Sequence, residues 1–381
     1  MINTGTENSG GSTVKITNPW TTDQSSLWQQ DGNAGHFMSL PSGIAFGNGE
    51  MFATSPSVFD ANHDGGDPFT GPTLWSSNPS IYAQDSGGNG SHMDMLHESP
   101  QALGIAFESH NTYWVYDSYN QDIVRYKFED DHGPGNSFHG DGIVHRYPGM
   151  GLERINTTIV CHLELDANER WLYFVDGGNN RVLRLDITTG TLGGNPSFSS
   201  GEDLAEYKNI TGFVWEEVIT TGLVEPAGID VIDNTLIVTD HSNGDIIFYD
   251  ISSMPANEIG RLETGEPGIM GVVLGPQGRI WYCNTTLNKV VRVEPDNILL
   301  GTNNLTSQFT SQIYPNPVST SLNINIASQN EAEYIVVYDS EGRMSTRENI
   351  VSSAVSIDVR GLSPGIYFAV IGVETLSFIV E

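Results

Sequence analysis

The sequence predicts an all-β protein, a β-propeller followed by a small β-sandwich. Three observations lead there: a composition rich in turn residues, a hairpin unit that recurs along most of the chain, and a change of pattern near residue 297. Of 381 residues, 42 are Gly and 18 are Pro, which leaves little room for long helices. The hydrophobic share of 38 % is enough to bury a core. Lys and Arg number 16 against 47 Asp and Glu, a net charge of −31. That balance excludes nucleic acid and an anionic membrane surface as partners, since both need clustered positive charge. No apolar run is long enough for a transmembrane helix. Two cysteines, Cys161 and Cys283, rule out a disulfide framework and read as small core residues.

The recurring unit is strand, Asx-led turn, strand. It appears at 104–126, 172–185, 237–249 and 281–293, with Asp117, Asp176, Asp240 and Asn284 opening the turn. Six positions after each comes a β-branched residue, Ile123, Val182, Ile246 or Val290. An Asp or Asn at such a place bonds the backbone two residues on. Upstream, Pro226-Ala227-Gly228-Ile229 and Pro267-Gly268-Ile269 lead their hairpins, and Pro41-Ser42-Gly43-Ile44 marks a fifth unit. The turn residues recur at intervals of 59, 64 and 44, the shortest matching one four-stranded blade and the others carrying insertions. Radial closure also protects the strand edges that an open sheet would expose.

On this motif, Pro-x-Gly-Ile, a short strand ending in Asp, then Asn-x-x-Val, the region resembles NHL-type β-propeller repeats. Five blades are legible and a sixth is expected, with Ser12–Thr17 supplying a closing strand. The expected division is a flexible segment at 1–13, the propeller at 14–297, and a linker at 298–312 rich in Asn, Thr, Ser and Gln. A second module occupies 313–381.

That module alternates polar and apolar residues, as in Leu322-Asn323-Ile324-Asn325-Ile326, the pattern of half-buried sandwich strands. Its landmarks are Tyr314-Pro315-Asn316-Pro317, Tyr338-Asp339 to Gly342-Arg343, Leu362-Ser363-Pro364-Gly365-Ile366-Tyr367, and a final apolar strand Phe378-Ile379-Val380. In that order they resemble the C-terminal sorting domain of the type IX secretion system of Bacteroidetes. The resemblance implies the type IX secretion machinery as a partner, export across the outer membrane, and a secreted or surface-attached product. It also implies a signal peptide ahead of the sequence given, which itself starts with neither a basic nor an apolar stretch.

Chemistry-bearing residues gather in the insertions. Ser91–Glu98 holds two imidazoles, two thioethers and two carboxylates, and His132, His139 and His145 follow. Imidazoles and carboxylates together suit a transition metal. By repeat position, His97, His162 and His241 lie near blade ends, where the ring would converge them on one zinc or similar ion. This resembles peptidyl-hydroxyglycine amidating lyases, which are NHL-type propellers, although only His162 comes near their Pro-His-Gly start. Asp60-Ala61-Asn62-His63-Asp64-Gly65 matches the opening of a calcium loop, with Asp60, Asn62 and Asp64 as ligands; Gly71 stands where a bidentate Glu would complete an EF-hand. The aromatics Trp75, Tyr82, Trp114, Tyr116 and Tyr119 read as core. No nucleophile elbow, phosphate loop or haem motif is present. The expected function is therefore binding of an extracellular glycan, peptide or protein on a propeller face. The alternative is a metal-dependent lyase or hydrolase at the propeller mouth.

Overall fold

The computed structural model describes residues 1–294 and 311–380, apart from 20, 85–87, 169, 276–277, 327–331, 333, 340–342, 351, 353 and 373. Positions 298–310 of the expected linker, and Gly342, lie outside the described residues. The chain forms two compact units, residues 1–274 with 280–293, and 275–279 with the residues from 294 onward.

Among the described residues the first unit contains six sheets in sequence order. One holds β1 (Ile2–Thr6), β2 (Gly10–Thr17) and β3 (Ser25–Gln29); the next holds β4 (Pro41–Phe46), β5 (Met51–Pro56), β6 (Thr73–Ser76) and β7 (His92–Met95). The third contains β8 (Ala102–Ser109), β9 (Thr112–Asp117), β10 (Asp122–Lys127) and β11 (Ile143–Tyr147). The fourth starts with β12 (Leu163–Leu165), β13 (Trp171–Asp176) and β14 (Arg181–Asp186). There the chain leaves its own blade. Strands β15 (Thr191–Leu192) and β16 (Glu206–Thr211) extend the third sheet, β16 running parallel to β11, before β17 (Val214–Ile219) returns to close the fourth. The fifth sheet is β18 (Pro226–Ile232), β19 (Thr235–Asp240), β20 (Asp245–Asp250) and β21 (Asn257–Glu263). The sixth is β22 (Ile269–Leu274), β23 (Ile280–Asn284) and β24 (Lys289–Val293).

The first strands of successive sheets, β1, β4, β8, β12, β18 and β22, pack against one another in that order. They surround an axial cavity of about 1220 Å³ lined by all six sheets, including Ile2, Ile44, Ile105, Leu163, Ile229 and Met270. On the far side, the Arg292 guanidinium on β24 donates to the carbonyls of Pro19 (3.0 Å) and Thr21 (2.7 Å), tying the last sheet to the first. The arrangement is a six-bladed β-propeller.

The repeat seen in the sequence has two physical causes. Four inner strands slip register at the same place, between Pro41 and Gly43, Ala102 and Ile105, Pro226 and Ile229, and Ile269 and Val272. Neighbouring inner strands there come so close that a Cβ on Gly104 would overlap the Cys161 carbonyl, and one on Gly228 the Met270 carbonyl. The turn residues Asp117, Asp176, Asp240 and Asn284 are all buried. Three of them satisfy the backbone that leads into their own blade. Asp176 accepts from Glu153 N–H (2.7 Å), Asp240 accepts from Val224 N–H (2.7 Å), and Asn284 donates to the carbonyls of Glu266 and Pro267.

Two expectations are corrected. Residues 1–13 are not a flexible segment, since they form β1 and part of β2. Ser12–Thr17 does not complete the last sheet either; it pairs with β1 and β3, and these three strands make a blade of their own. Both follow from the same short hairpin, whose Gly11 N–H donates to the Met38 carbonyl (2.7 Å) and docks it on the adjoining blade.

The second unit is a two-sheet sandwich. One sheet is β25 (Gln312–Tyr314), β26 (Ser321–Asn325) and β29 (Ala354–Asp358). The other is β27 (Tyr334–Asp339), β28 (Met344–Asn349), β30 (Gly365–Ile371) and β31 (Glu374–Val380). Leu322, Ile324, Ile335, Val337, Ala369 and Phe378 fill the space between them.

The close approach of inner strands sets one expected outcome. Gly228→Ala should destabilise the propeller by about 2 kcal/mol or more, because backbone must move to admit the methyl. Gly260→Ala, where nothing lies within 4 Å, should stay within about 0.5 kcal/mol of wild type in denaturant titrations.

Candidate metal centre

The insertions on one side of the third blade bring six ionisable residues into one continuous cluster. Asp94 comes from β7, and His97 follows two residues after that strand. His132, His139 and Asp141 belong to the connection between β10 and β11. That connection is laid along β7 by backbone bonds, His132 N–H to Met93 O (3.2 Å) and Gly135 N–H to His92 O (2.8 Å). Glu202 arrives from far away in sequence, on the segment that leaves the fourth blade. Glu98 fixes that segment, its carboxylate accepting from Ser200 N–H (3.0 Å) and Ser200 Oγ–H (2.8 Å).

Glu202 Oε1 accepts from His97 Nδ1 (2.6 Å) and His139 Nδ1 (2.7 Å), and its Oε2 accepts from His97 N–H (2.9 Å). A carboxylate that takes both Nδ1 protons leaves both Nε2 atoms as lone-pair donors, the usual way in which a protein orients metal-binding imidazoles. Burial would raise the Glu202 pKa, but the bonds from His139 and His97 outweigh it and hold the carboxyl down at about 2. His139 is raised, first by its bond to Glu202, whereas enclosed His97 is lowered by burial. These shifts favour the protonated form of His139 and the neutral form of His97; in either residue only the neutral ring presents an Nε2 lone pair, so metal binding and protonation compete at His139.

Beside this clamp, His139 Nε2 stands 3.8 Å from Asp94 Oδ1. Asp94 Oδ2 stands 3.8 Å from His132 Nε2, which is 3.3 Å from Asp141 Oδ2. Asp94 is fully buried, and burial pushes its carboxyl up to about 7. Among the described residues, Asp94 Oδ2, His97 Nε2, His132 Nε2 and Asp141 Oδ1 are buried without a hydrogen-bond partner. Such orphans are costly unless something else occupies the space between them. Two sets have ligand atoms mutually close enough to share an ion: His97, His139 and Glu202, and Asp94, His132 and Asp141. Mixed imidazole and carboxylate donors suit zinc and neighbouring first-row ions better than calcium. Phe69 stacks on His97 with ring centroids 3.9 Å apart, walling the inner side. The outer side is open, with His132, His139 and Asp141 side chains 20 %, 28 % and 25 % exposed.

The three histidines expected to meet on one ion do not. His97 joins the lateral cluster because it lies where the chain has only just left the fourth strand of its sheet, far from the axis. His162 and His241 both line the axial cavity. His162 Nε2 donates to the Ser42 carbonyl (3.0 Å) and His241 Nδ1 to Glu225 (3.0 Å). Neither falls in a shared-ligand group among the described residues. In the expected calcium loop, both Asp60 oxygens face their own turn, accepting from Asn62 N–H (2.9 Å) and Asp64 N–H (3.2 Å), while Asp64 accepts from Gly66 N–H (2.8 Å). Burial opposes ionisation of Asp60, yet these bonds hold its carboxyl below the usual range. Trp75, Tyr82, Trp114 and Tyr116 are core, and Tyr119 is 45 % exposed. Asp94, His132, His139 and Asp141 lie in motifs visible in the sequence; Glu202 carries no local signal.

Residues 312–380 match the family model described as secretion system C-terminal sorting domain. The chain therefore carries a type IX sorting domain behind a β-propeller, and the protein is secreted or held at the cell surface. Comparison with curated proteins gives no match. Among solved structures, the chain is similar to one from a nidogen/laminin complex at 13 % identity, covering 75 % of this chain and 86 % of that one with a TM-score of 0.46. It is similar to a putative 6-phosphogluconolactonase from Bacteroides uniformis at 11 % identity, with 93 % and 97 % coverage and a TM-score of 0.44. A periplasmic gluconolactonase from Pseudomonas aeruginosa gives 10 % identity, 94 % and 97 % coverage and a TM-score of 0.46. At these scores the likenesses carry no functional argument, and the propeller rests on its own six sheets.

The axial cavity has its own electrostatics. Burial, then the neighbouring Asp230, pushes the Glu164 carboxyl up to about 8. In the unfolded chain it ionises near the ordinary carboxylate value, so its contribution to stability falls between about pH 4.5 and 8 as the folded state resists ionisation. Glu164→Gln should therefore gain Tm over wild type progressively from pH 5 to pH 8, at no more than about 1.4 kcal/mol per pH unit. A gain that is independent of pH would contradict the buried-acid assignment.

Proposed function

We propose that the protein is an extracellular metal-dependent hydrolase, exported by the type IX system and acting at the lateral centre formed by Asp94, His132, His139 and Asp141. The observation that carries this reading is the buried Asp94 carboxylate, whose two oxygens each face an imidazole Nε2 at 3.8 Å, too far for a hydrogen bond. Ligands of one ion at about 2.0–2.2 Å sit at comparable mutual separations, so an ion between them would satisfy groups that no direct hydrogen bond joins. The cluster is reachable from solvent through the partly exposed His132, His139 and Asp141, so an ion there would be accessible to water, as catalytic centres require. Asp94, His132 and Asp141, with His139 beside them, would hold a divalent ion, which would supply Lewis acidity and lower the pKa of a bound water. Glu202 holds His139 in the ligating tautomer, and His97 braces Glu202.

The test is metal content followed by turnover. Full-length protein incubated with zinc and dialysed should retain about one or two ions per chain, and Asp94→Asn or His132→Ala should weaken retention by about tenfold or more. His241→Ala should retain metal as wild type does. Hydrolysis of p-nitrophenyl acetate should fall on chelation and recover when zinc is restored. If wild type and His132→Ala hold equal metal, the centre is refuted; if metal binds and chelation leaves hydrolysis unchanged, the hydrolase reading is refuted.

A further inference from the structure

A shallow groove of about 440 Å³, lined by Ser137, Phe138, His139, Gly140 and Asp203, lies directly outside the centre. It shares His139 with the cluster, so whatever occupies the groove meets the open side of the proposed ion. Its most unusual feature is Phe138, a large apolar side chain left 60 % exposed. The ring is held on its inner side. It stands edge-on to His132, with centroids 5.9 Å apart and planes at 80°. It also lies so near Gly140 that a Cβ there would come within 2.9 Å of its tip. An aromatic ring fixed this way and bare toward solvent is a platform, since leaving it in water is unfavourable unless something covers it.

The rest of the lining narrows the occupant. Asp203 offers only acceptors and Ser137 a hydroxyl, so the ligand should be rich in hydroxyl donors. Among the described residues no Lys or Arg lines the groove. Asp94 and Asp141 would offset the charge of the proposed ion, so Asp203, Glu202 and a chain of net charge −31 disfavour phosphorylated or uronic substrates. Building on the metal-centre reading, we propose that this groove takes a neutral glycan, with the C–H face of one sugar ring laid on Phe138 and its hydroxyls donating to Asp203 beside the His139 edge of the ion. Phe138 and Asp203 would then set which saccharide is held at the open side of the cluster.

Zinc-loaded full-length protein is titrated by calorimetry with neutral hexaoses of the cello-, xylo-, manno- and malto- series, and with polygalacturonate and a casein digest. The expected result is binding of at least one neutral series and not of polygalacturonate. Phe138→Ala and Asp203→Asn should each weaken that binding at least tenfold while retaining wild-type zinc. Binding to none of the neutral series, binding that both variants leave unchanged, or Phe138-dependent binding of the digest instead, would each overturn the glycan assignment while leaving the metal centre standing. Phe138-dependent glycan binding by a protein that holds no zinc would do the reverse, refuting the centre and sustaining the groove.

Discussion

Everything in the propeller depends on how closely the inner strands of neighbouring blades approach. At Gly104 and Gly228 the next blade's carbonyl occupies the space a side chain would need. That proximity fixes the ring, and the ring fixes where each loop emerges. The buried Asx residues reinforce it, since Asp176, Asp240 and Asn284 each satisfy backbone at the entrance to their own blade. An apolar side chain there would leave those groups unpaired in the interior.

The functional geometry grows from a departure from this regularity. Between β14 and β17 the chain crosses back to the third blade, and the crossing delivers Glu202 to His97 and His139. Glu98, one residue after His97, holds the crossing segment through Ser200. Two successive residues of one insertion therefore anchor a segment a hundred positions away. The regular blades form the frame, and the irregular insertions assemble the proposed metal centre on its flank.

Much of this was legible in the sequence because the blade motif is local. The Asx turns and the Pro-x-Gly-Ile starts are short, and backbone chemistry dictates them. The first blade was obscure because β1 to β3 carry neither signature. The sequence singles out His97 but assigns it to the wrong neighbourhood. Repeat position predicts distance from the axis only inside a strand, and His97 sits on a connection that has not yet reached the axis. His162 and His241 did reach the axial cavity, where one ring nitrogen of each is hydrogen-bonded, to Ser42 and Glu225, and neither falls in a shared-ligand group among the described residues. Glu202 was invisible, since the 64-residue interval that contains it reads equally well as an ordinary loop insertion. The sorting domain was the most legible part, its landmarks being short motifs in a fixed order.

The central claim is that the orphaned groups around Asp94 exist to hold an ion. Anomalous diffraction from crystals soaked in zinc, recorded at the metal's absorption edge, tests it directly. The account requires a peak among Asp94 Oδ2, His132 Nε2 and Asp141. Peaks confined to the axial cavity near His162 and His241, or none at the lateral cluster, would contradict it.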